Sequence, residues 1–572
     1  MSVDPQKVDP RNESAADEVD GVTEEIAADL LVRCLEAEGV TCVYGIPGEE
    51  NIYLTDALSR SAIRYVLVRH EQAASFMAEV QGRLTGRPGV CSATLGPGAI
   101  NLLLGVADAT SNSTPVVALS AQSSLGRIYK ESHQSIDLVS IFASATKWSA
   151  MFPNAAAIPE MVRKAFKVAQ TERPGAVYLA VPEDIESAPV PNGLGPLPVS
   201  VPKPDEPSPA QVRRAAEILS GADRPIVLAG HGAVRAGAGH ALRRFSEQVG
   251  LPVATTFNAK GVFPDDHPNS LGAVGFMAHD YVNFGFDEAD AIVCVGYELG
   301  ELDPERLNPS GDKAIIHLSR SPAEVDSHYS VAVGIQADPG SSLAALRKAV
   351  ARTWDPITGP PARIRSLLAD ELAMGSEDVS FPLKPQRVVA ETRAALGRDD
   401  IVLADTGAVK MWMARLYPTY EPNTCLVSNG LSSMGFALPG AVAAKLVYPG
   451  RRVVAAVGDG AFLMNSQEIE TAVREHAAIV VLVWQDDAYG LIKWKMDLAL
   501  GRHSAIGFSN PDFVAYADSF GARGYRVTAA GELRSALDDA LASDQVSVIA
   551  CPVDYGENLR LTAALGDLSG RV

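Results

Sequence analysis

Residues 452–460 read Arg-Val-Val-Ala-Ala-Val-Gly-Asp-Gly, an apolar run that ends at a glycine-flanked aspartate, Asp459. A second apolar run, at 479–484, is followed closely by the acidic pair Asp486 and Asp487. Short apolar runs that end in turn residues predict buried strands of a parallel sheet, whose carboxyl ends meet at one edge. Backbone N–H groups of a strand-to-helix turn bind phosphate oxygens, and carboxylates hold Mg²⁺ against them. The two runs therefore predict a site for a magnesium ion and a diphosphate.

The spacing of these two acidic positions is more informative than either alone. A single Gly-Asp-Gly is weak evidence, because most such turns lie at a surface and bind nothing. Here Asp486 follows Asp459 by 27 residues, each at the end of its own apolar run. The alternative, a surface turn beside an unrelated acidic loop, stays open until the other motifs are considered.

The composition is that of a large globular protein with material for several cores. The chain has 572 residues, of which 47% are hydrophobic and 21% charged, and this favours three or four domains. A formal net charge of −20 argues against nucleic acid or an anionic membrane surface as a partner. No apolar run reaches the roughly 20 residues that span a bilayer. The six cysteines are scattered without a Cys-x-x-Cys pair, which favours reduced thiols in the cytoplasm.

Apolar runs alternate with helix-like stretches, and this rhythm predicts an α/β fold with three doubly wound parallel-sheet domains. Strands are predicted at 42–44, 66–68, 116–119, 176–181, 225–229, 253–255, 291–295, 314–318, 401–404, 453–457, 479–484 and 548–551. The predicted organisation is a disordered acidic tail at 1–21, a first domain at 22–188, a Pro-rich linker at 189–209, a central domain at 210–352, a linker at 353–384, a third domain at 385–560 and a C-terminal tail at 561–572.

Two motifs in the first domain add candidate site residues. Glu71 follows a strand and begins a predicted helix, where a carboxylate can lie beside a cofactor in an apolar cleft. The loop 96–101, Gly-Pro-Gly-Ala-Ile-Asn, ends another strand, and Gly96 and Gly98 allow the close backbone approach that a ligand requires. Both motifs have ordinary alternatives, because a first-turn Glu also interacts with the helix dipole and a strand-to-helix turn needs no ligand.

With these motifs in order, the chain resembles the thiamine diphosphate-dependent enzymes, which include acetolactate synthase, pyruvate oxidase and pyruvate decarboxylase. The resemblance covers nearly everything after the acidic tail and rests on 69–71, 96–101, 428–439, 458–460 and 486. It implies a pyrimidine-binding domain, a central Rossmann-like domain and a diphosphate-binding domain. Each active site would lie between the first domain of one subunit and the third of another, which requires at least a homodimer, a homotetramer being the usual assembly.

The resemblance also assigns roles to individual residues. It implies that Glu71 hydrogen-bonds the aminopyrimidine of thiamine diphosphate and that Met434 holds the cofactor in its bent form. Mg²⁺ would be held by Asp459, Asp486 and the carbonyl of Ala488, although many relatives have Asn-Asn where this chain has Gln-Asp. The cofactor-binding residues implied are Gly96, Gly98, Asn101, Ser432, Met434, Gly458, Asp459, Gly460, Asp486 and Ala488.

Within this family the chain looks most like the catabolic, FAD-independent acetolactate synthases. It has no adjacent histidine pair of the kind that pyruvate decarboxylases use, and its segment 132–137, Ser-His-Gln-Ser-Ile-Asp, is similar to a catabolic acetolactate synthase segment. Gln134 would then hydrogen-bond the bound ketoacid, although a mixed polar loop is the plain alternative. At 296–301 the Arg-Phe-Asp-Asp-Arg of the biosynthetic enzymes is absent, so we expect no FAD.

The resemblance implies a cytoplasmic carboligase that decarboxylates pyruvate and joins the hydroxyethyl unit to a second pyruvate, giving 2-acetolactate. The segments 408–412 and 489–495 depart from the known patterns and face the acceptor. Another thiamine diphosphate-dependent lyase or ligase, with a different 2-ketoacid donor or an aldehyde acceptor, is therefore the alternative. A non-catalytic scaffold of the same fold is a third hypothesis, weakened by the presence of Glu71, Asp459 and Asp486.

Overall fold

A computed structural model describes residues 25–200, 203–276, 280–355 and 360–569. Within these ranges it contains three six-stranded sheets, and every pair of neighbouring strands is parallel. The predicted α/β fold with three parallel-sheet domains is thereby confirmed. The acidic tail predicted at 1–21 lies outside the described residues.

The first domain surrounds a sheet with the order β2-β1-β3-β4-β6-β5. Its strands are Cys42–Gly45 (β1), Arg64–Leu67 (β2), Gly89–Ala93 (β3), Val116–Gln122 (β4), Trp148–Met151 (β5) and Ala176–Pro182 (β6). Its helices are Ala27–Ala37 (α1), Ile52–Ser59 (α2), Glu71–Thr85 (α3), Pro97–Ser111 (α4), Leu138–Ala143 (α5), Ile158–Gln170 (α6) and Glu183–Glu186 (α7).

The central domain has a different order, β12-β11-β10-β7-β8-β9, which is the doubly wound arrangement of dinucleotide-binding folds. Its strands are Pro225–Ala229 (β7), Val253–Thr255 (β8), Ser270–Ala273 (β9), Ala291–Val295 (β10), Ala314–Ser319 (β11) and Val331–Gln336 (β12). Its helices are Pro209–Gly221 (α8), His231–Arg235 (α9), Gly239–Val249 (α10), Tyr281–Asp287 (α11) and Pro339–Ala349 (α12), and Pro360–Glu377 (α13) follows them.

The third domain repeats the strand order of the first, as β14-β13-β15-β16-β18-β17. Its strands are Ile401–Ala404 (β13), Cys425–Val427 (β14), Val453–Gly458 (β15), Val480–Gln485 (β16), Arg523–Arg526 (β17) and Ser547–Pro552 (β18). Its helices are Pro385–Ala395 (α14), Ala408–Leu416 (α15), Ala437–Val447 (α16), Asp459–Asn465 (α17), Glu468–Arg474 (α18), Gly490–Leu500 (α19), Phe513–Ser519 (α20), Glu532–Ala542 (α21) and Glu557–Ser569 (α22).

Two segments that the sequence suggested were connections carry more structure than expected. The linker at 353–384 contains α13, which contacts α11 and α14 and buries Ile364. The tail at 561–572 begins inside α22, and Leu561 and Leu565 belong to the core of the third domain. Both helices are held by tertiary packing of a few apolar side chains, which a proline-bounded or terminal position in the sequence does not reveal.

The first and third domains share one buried core within the chain. Helix α3 packs on α16, and Phe76 meets Phe436 edge to face with ring centroids 5.8 Å apart. Buried polar contacts accompany the apolar ones: Arg83 donates to the carbonyl of Val427 at 2.7 Å. The carboxyl edges of the two sheets are thereby fixed relative to each other.

Candidate functional site

Asp459 joins the ends of β15 and β16. Its side chain is buried at the start of α17 and accepts the backbone N–H of Gly460 at 2.9 Å, of Asp486 at 3.1 Å and of Asp487 at 2.7 Å. The side-chain amide of Asn510 donates to it at 2.8 Å. Some of the backbone N–H groups that the sequence offered to a phosphate are thus taken by this carboxylate, which holds the two turns together.

Asp486 stands beside Asp459 as a second, half-buried carboxylate. Burial, together with the charge of Asp459, raises the pKa of Asp486 to about 7, and burial also raises the pKa of Asp459. Within the described ranges no hydrogen bond reaches the carboxylate of Asp486, and Lys493 is the positive charge that acts on it. Two adjacent carboxylates, of which Asp486 has no hydrogen-bond donor in the described ranges, suit a bound cation.

The two aspartates open into a cavity of about 350 Å³. All seven third-domain residues that the sequence assigned to the cofactor line it, namely Ser432, Met434, Gly458, Asp459, Gly460, Asp486 and Ala488. The remaining lining residues are Thr406, Gly407, Ala408, Val409, Ala461, Tyr489, Gly490, Leu491, Ile492 and Tyr555. A Cβ atom on Gly460 would lie 2.9 Å from the Tyr489 ring, so a side chain here would displace that ring.

The protein alone offers an incomplete set of metal ligands here. No group of three or more His, Cys, Asp or Glu side chains able to hold a metal occurs among the described residues. The carbonyl of Ala488 accepts the N–H of Gly490 at 2.9 Å and keeps a second lone pair. Two carboxylates and one carbonyl would therefore fit Mg²⁺ only when a diphosphate or water supplies the other oxygens.

The first-domain residues form a second group, around the start of α3. Glu71 is 9% exposed, and its Oε2 accepts the side-chain amide of Asn101 at 3.0 Å. A Cβ atom on Gly98 would lie 3.2 Å from Oε1 of Glu71 and 2.9 Å from Thr94. The absence of a side chain at Gly98 therefore gives the Glu71 carboxylate its space.

Gln134 lies next to this group on an exposed loop. Gly96 has a φ of +54°, and a Cβ atom there would lie 2.7 Å from the carbonyl oxygen of Gln134. Gln134 itself has a φ of +54°, and its side chain is exposed. The loop that carries Gln134 thus packs on the glycine turn, and no hydrogen bond within the described ranges joins its side chain to Glu71.

The two groups occupy separate places in the chain. Glu71, Asn101 and Gln134 are not among the residues that line the cavity. A buried carboxylate of the third domain contacts the backbone just before Glu71: Glu468 on α18 accepts the N–H groups of Arg69 and His70, both at 3.1 Å. The third domain thereby holds the residues immediately before Glu71.

Sequence reasoning missed several residues of this region. Asn510 donates to both Asp459 and Asp487 from a loop that carries no motif. Tyr555 lines the cavity from the start of the segment before α22. Glu468 follows the Asp459 turn by only nine residues and begins α18, Glu-Ile-Glu-Thr-Ala-Val-Arg, a mixed sequence in which nothing marks this residue as buried.

The central domain is closed at the point where a dinucleotide-binding sheet takes its ligand, between β7 and β10. Both oxygens of Glu301 accept the backbone N–H of His231, at 3.0 and 2.9 Å. A Cβ atom on Gly230 would lie 2.4 Å from Cα of Tyr297, and one on Gly232 would lie 2.8 Å from the carbonyl oxygen of Gly296. The two turns are in direct contact, and a protein carboxylate fills the space before α9.

Comparison with known proteins agrees with this arrangement. Family models of the thiamine pyrophosphate enzymes match residues 26–141 (N-terminal TPP binding domain), 212–346 (central domain) and 405–551 (C-terminal TPP binding domain). The chain is 34% identical to the acetolactate synthase of Bacillus subtilis, with 94% of each chain covered. It is 34% identical to the catabolic acetolactate synthase of Raoultella terrigena, with 94% of this chain and 97% of the relative covered.

A third relative gives a similar result. The chain is 33% identical to the probable acetolactate synthase large subunit of Methanocaldococcus jannaschii, with 95% of each chain covered. The resemblance drawn from the sequence motifs is confirmed, over all three domains. The chain is an enzyme of the thiamine pyrophosphate-dependent family.

Proposed function

We propose that this protein is a Mg²⁺-dependent carboligase that decarboxylates pyruvate and joins the hydroxyethyl unit to a second pyruvate, giving 2-acetolactate. The observation that carries the proposal is the cavity in which Asp459, Asp486 and Ala488 meet Ser432 and Met434. Relatives named acetolactate synthase, catabolic forms included, support the choice of reaction.

The third domain would hold the metal and the diphosphate of the cofactor. Asp459, Asp486 and the carbonyl of Ala488 supply oxygen ligands for Mg²⁺, and the glycines beside Asp459 keep the turn free of side chains. Met434 and Ser432 form the wall from which the cofactor would be held in position. When bound, thiamine diphosphate supplies the activated carbon that attacks the keto group and carries the two-carbon unit.

The first domain would supply the proton chemistry. Glu71 is buried, and its only side-chain hydrogen-bond donor within the described residues is Asn101. Asn101 fixes the orientation of the carboxylate through Oε2, and Oε1 lies beside Gly98. A carboxylate so placed can hold a proton against a ring nitrogen of a bound aminopyrimidine. Gln134, exposed on the adjacent loop, would donate to the carboxylate of the 2-ketoacid.

The two groups of residues can form one site if two chains face each other. Apolar side chains that a single chain leaves exposed lie next to both groups: Ile100 and Leu104 on α4, and Leu431, Leu463 and Met464 around Met434. A second copy of the chain would bury them. We infer a homodimer with the first domain of one chain over the third domain of the other, and a homotetramer as the larger assembly.

The central domain is proposed to hold no FAD. Glu301 takes the position at the start of α9 that a ligand phosphate needs, and the turns around Gly230 and Gly296 touch. The absorbance spectrum of the purified protein tests this proposal. A stoichiometric flavin band would contradict it.

A cytoplasmic location is proposed as well. All six cysteines are buried and unpaired, which suits a reducing compartment. No helix in the described ranges is long and apolar enough to cross a membrane.

The decisive experiment is to incubate the purified protein with thiamine diphosphate, Mg²⁺ and pyruvate. Pyruvate loss is followed together with acetolactate, the latter before and after conversion to acetoin in acid. One acetolactate for every two pyruvates consumed establishes both donor and acceptor. Pyruvate loss with another product moves the reaction to a different acceptor, and cofactor binding without pyruvate loss moves it to a different donor. Failure to bind the cofactor at all leaves only the scaffold hypothesis.

A further inference from the structure

Lys410 is a buried cation directly behind the wall of the cofactor cavity. It lies in the first turn of α15, immediately after the lining residues Ala408 and Val409, and is itself 6% exposed and not part of the lining. Its Nζ donates to Oγ of Ser432 at 2.9 Å and to the carbonyl of Ser428 at 3.3 Å. The ammonium therefore contacts the cavity wall from the protein side.

Ser432 is a residue whose conformation needs support. Its φ of +57° is unusual for a residue with a side chain. Its hydroxyl donates to the carbonyl of Asn429 at 2.9 Å and accepts from Lys410, so both ends of the hydroxyl are engaged. The pair of bonds closes the turn 429–432, two residues before Met434.

The surroundings of Lys410 explain how a charge is tolerated there. Two buried carboxylates act on it, Asp108 from α4 and Asp405 from the end of β13. Asp108 accepts the hydroxyl of Ser428 on both oxygens at 2.9 Å, and Asp405 accepts the N–H groups of Gly435 and Ala437 at 2.9 and 2.8 Å. Each carboxylate thus holds one end of the segment 428–437.

We propose that Lys410 is a positioning residue for the cofactor: through Ser432 it holds the turn 429–432, and with it Met434, in the shape that thiamine diphosphate binds. The inference rests on the proposed cofactor site. It goes beyond that site because Lys410 does not itself line the cavity and makes no hydrogen bond to the proposed metal ligands. A purely structural role, in which Lys410 only balances the charges of Asp108 and Asp405, predicts lost stability without a specific loss of cofactor affinity.

Four proteins separate these roles. Lys410→Met removes the ammonium and keeps the length of the side chain, and Ser432→Ala removes its contact at the cavity wall. The double variant combines them. Lys445→Met is the matched control, because Lys445 is a partly buried lysine on α16 that donates to a backbone carbonyl, Arg451, at 2.9 Å. Affinity for thiamine diphosphate with Mg²⁺ is measured by calorimetry, and folding is checked by thermal unfolding.

We expect Lys410→Met to bind the cofactor at least about tenfold more weakly, and Ser432→Ala to lose a similar factor. The double variant should bind the cofactor no more weakly than whichever single variant binds it more weakly. If Lys410 acts only through Ser432, its removal has no further effect once the Ser432 hydroxyl is gone. Lys445→Met should bind like the wild type. Unchanged affinity in Lys410→Met, or losses that multiply in the double variant, would overturn the inference.

The wild type gives an independent measurement if Lys410→Met does not fold. Burial lowers the pKa of Lys410 to about 8, against the opposing pull of Asp108 and Asp405. Cofactor affinity should therefore fall as the pH rises through 8, because the ammonium that donates to Ser432 is lost. Affinity that is flat between pH 7 and 9 overturns the inference. If the wild type binds no cofactor at any pH, it is the proposed function that fails.

Discussion

The first and third sheets have the same strand order but carry different chemistry at the same edge. The strand order of each reverses between two adjacent strands, β1 and β3 in one and β13 and β15 in the other. Candidate site residues follow strands beside that position: Glu71 follows β2 and Gly96 follows β3, whereas Asp459 follows β15 and Asp486 follows β16. The first sheet presents one carboxylate, Glu71, with an amide partner. The third presents two carboxylates and a formed cavity. Strand order determines where a site can lie, and the residues decide what it does.

The central sheet sharpens this contrast. Its order also reverses, between β7 and β10, yet the two turns there touch and Glu301 fills the space before α9. The position where the strand order of a sheet reverses therefore holds a ligand only if the side chains around it leave space. The comparison of the first and third sheets predicts that substitutions in one affect turnover and those in the other affect binding.

The largest effect is expected at Glu71. Glu71→Gln keeps the shape and the bond from Asn101 but removes the acid–base group, so turnover should fall by about 10²–10⁴-fold. Cofactor affinity and thermal stability should stay near wild-type values, because in the proposed site Mg²⁺ and the diphosphate are bound by the third domain. Glu160→Gln on the exposed side of α6 is the control with the same loss of charge. Near-normal turnover in Glu71→Gln would contradict the acid–base role proposed for Glu71.

The counterpart in the third sheet is Asp459→Ala. The change leaves the N–H groups of Gly460, Asp486 and Asp487 and the amide of Asn510 without their acceptor. We expect Mg²⁺-dependent affinity for thiamine diphosphate to fall by about 10²-fold. This is the size of effect expected when a charged group that accepts several hydrogen bonds is removed. Asp487→Ala, with an exposed carboxylate one residue past the proposed ligand Asp486, should bind within a few-fold of wild type. Equal affinities in the two variants would disprove the assignment of Asp459 as a ligand of Mg²⁺.

The sequence was most informative where a strand is covered on both faces. The strands β7, β8, β10 and β13 have the predicted bounds to the residue, because a continuous apolar run marks a strand buried between two layers. Six strands had no predicted bounds. Five of them, β5, β9, β12, β14 and β17, stand at an edge of their sheet, and the sixth, β3, was inferred only as the strand before the loop 96–101. β17 reads Arg-Gly-Tyr-Arg and is only partly buried, so no apolar run in the sequence predicts this strand.

The same reason separates the predicted from the unpredicted site residues. Asp459, Asp486 and the glycines around them lie at strand ends with a fixed spacing, which is a local pattern. Asn510 and Glu468 reach the site through loops and helices whose position depends on the packing of the whole domain. No spacing rule links Glu468 to Arg69, almost four hundred residues away.

A smaller effect is expected at Glu468, the contact between the two regions. Burial raises its pKa to about 7. Because the folded pKa exceeds the unfolded one, the stability linked to this group is present below about pH 4.5 and is lost as the pH rises through 7. Glu468→Gln can keep the bonds from Arg69 and His70 without the charge, so at pH 8 it should be more stable than wild type by roughly 2 kcal/mol. At pH 4.5 the two should be equal.

Chemical denaturation of both proteins at several pH values measures this difference. Glu470→Gln is the control, because Glu470 is a half-exposed carboxylate two residues away on the same helix that pairs with Arg474. A Glu468→Gln curve parallel to wild type across the pH range would show that Glu468 titrates normally. The contact of Glu468 with the N–H groups of Arg69 and His70 would then be an ordinary interaction between a carboxylate and backbone dipoles.

Mixing two inactive variants distinguishes an active site built within one chain from a site built between two chains. Glu71→Gln and Asp459→Ala are each expected to be nearly inactive alone. In a two-fold dimer whose sites pair the first domain of one chain with the third domain of the other, a mixed dimer has one site with both lesions and one site with neither. Random mixing after dissociation should therefore restore about a quarter of wild-type activity. If each site were built within a single chain, every site would keep one lesion and mixing would restore nothing. Mixing Glu71→Gln with wild type, followed by the same dissociation and reassociation, controls for losses during handling.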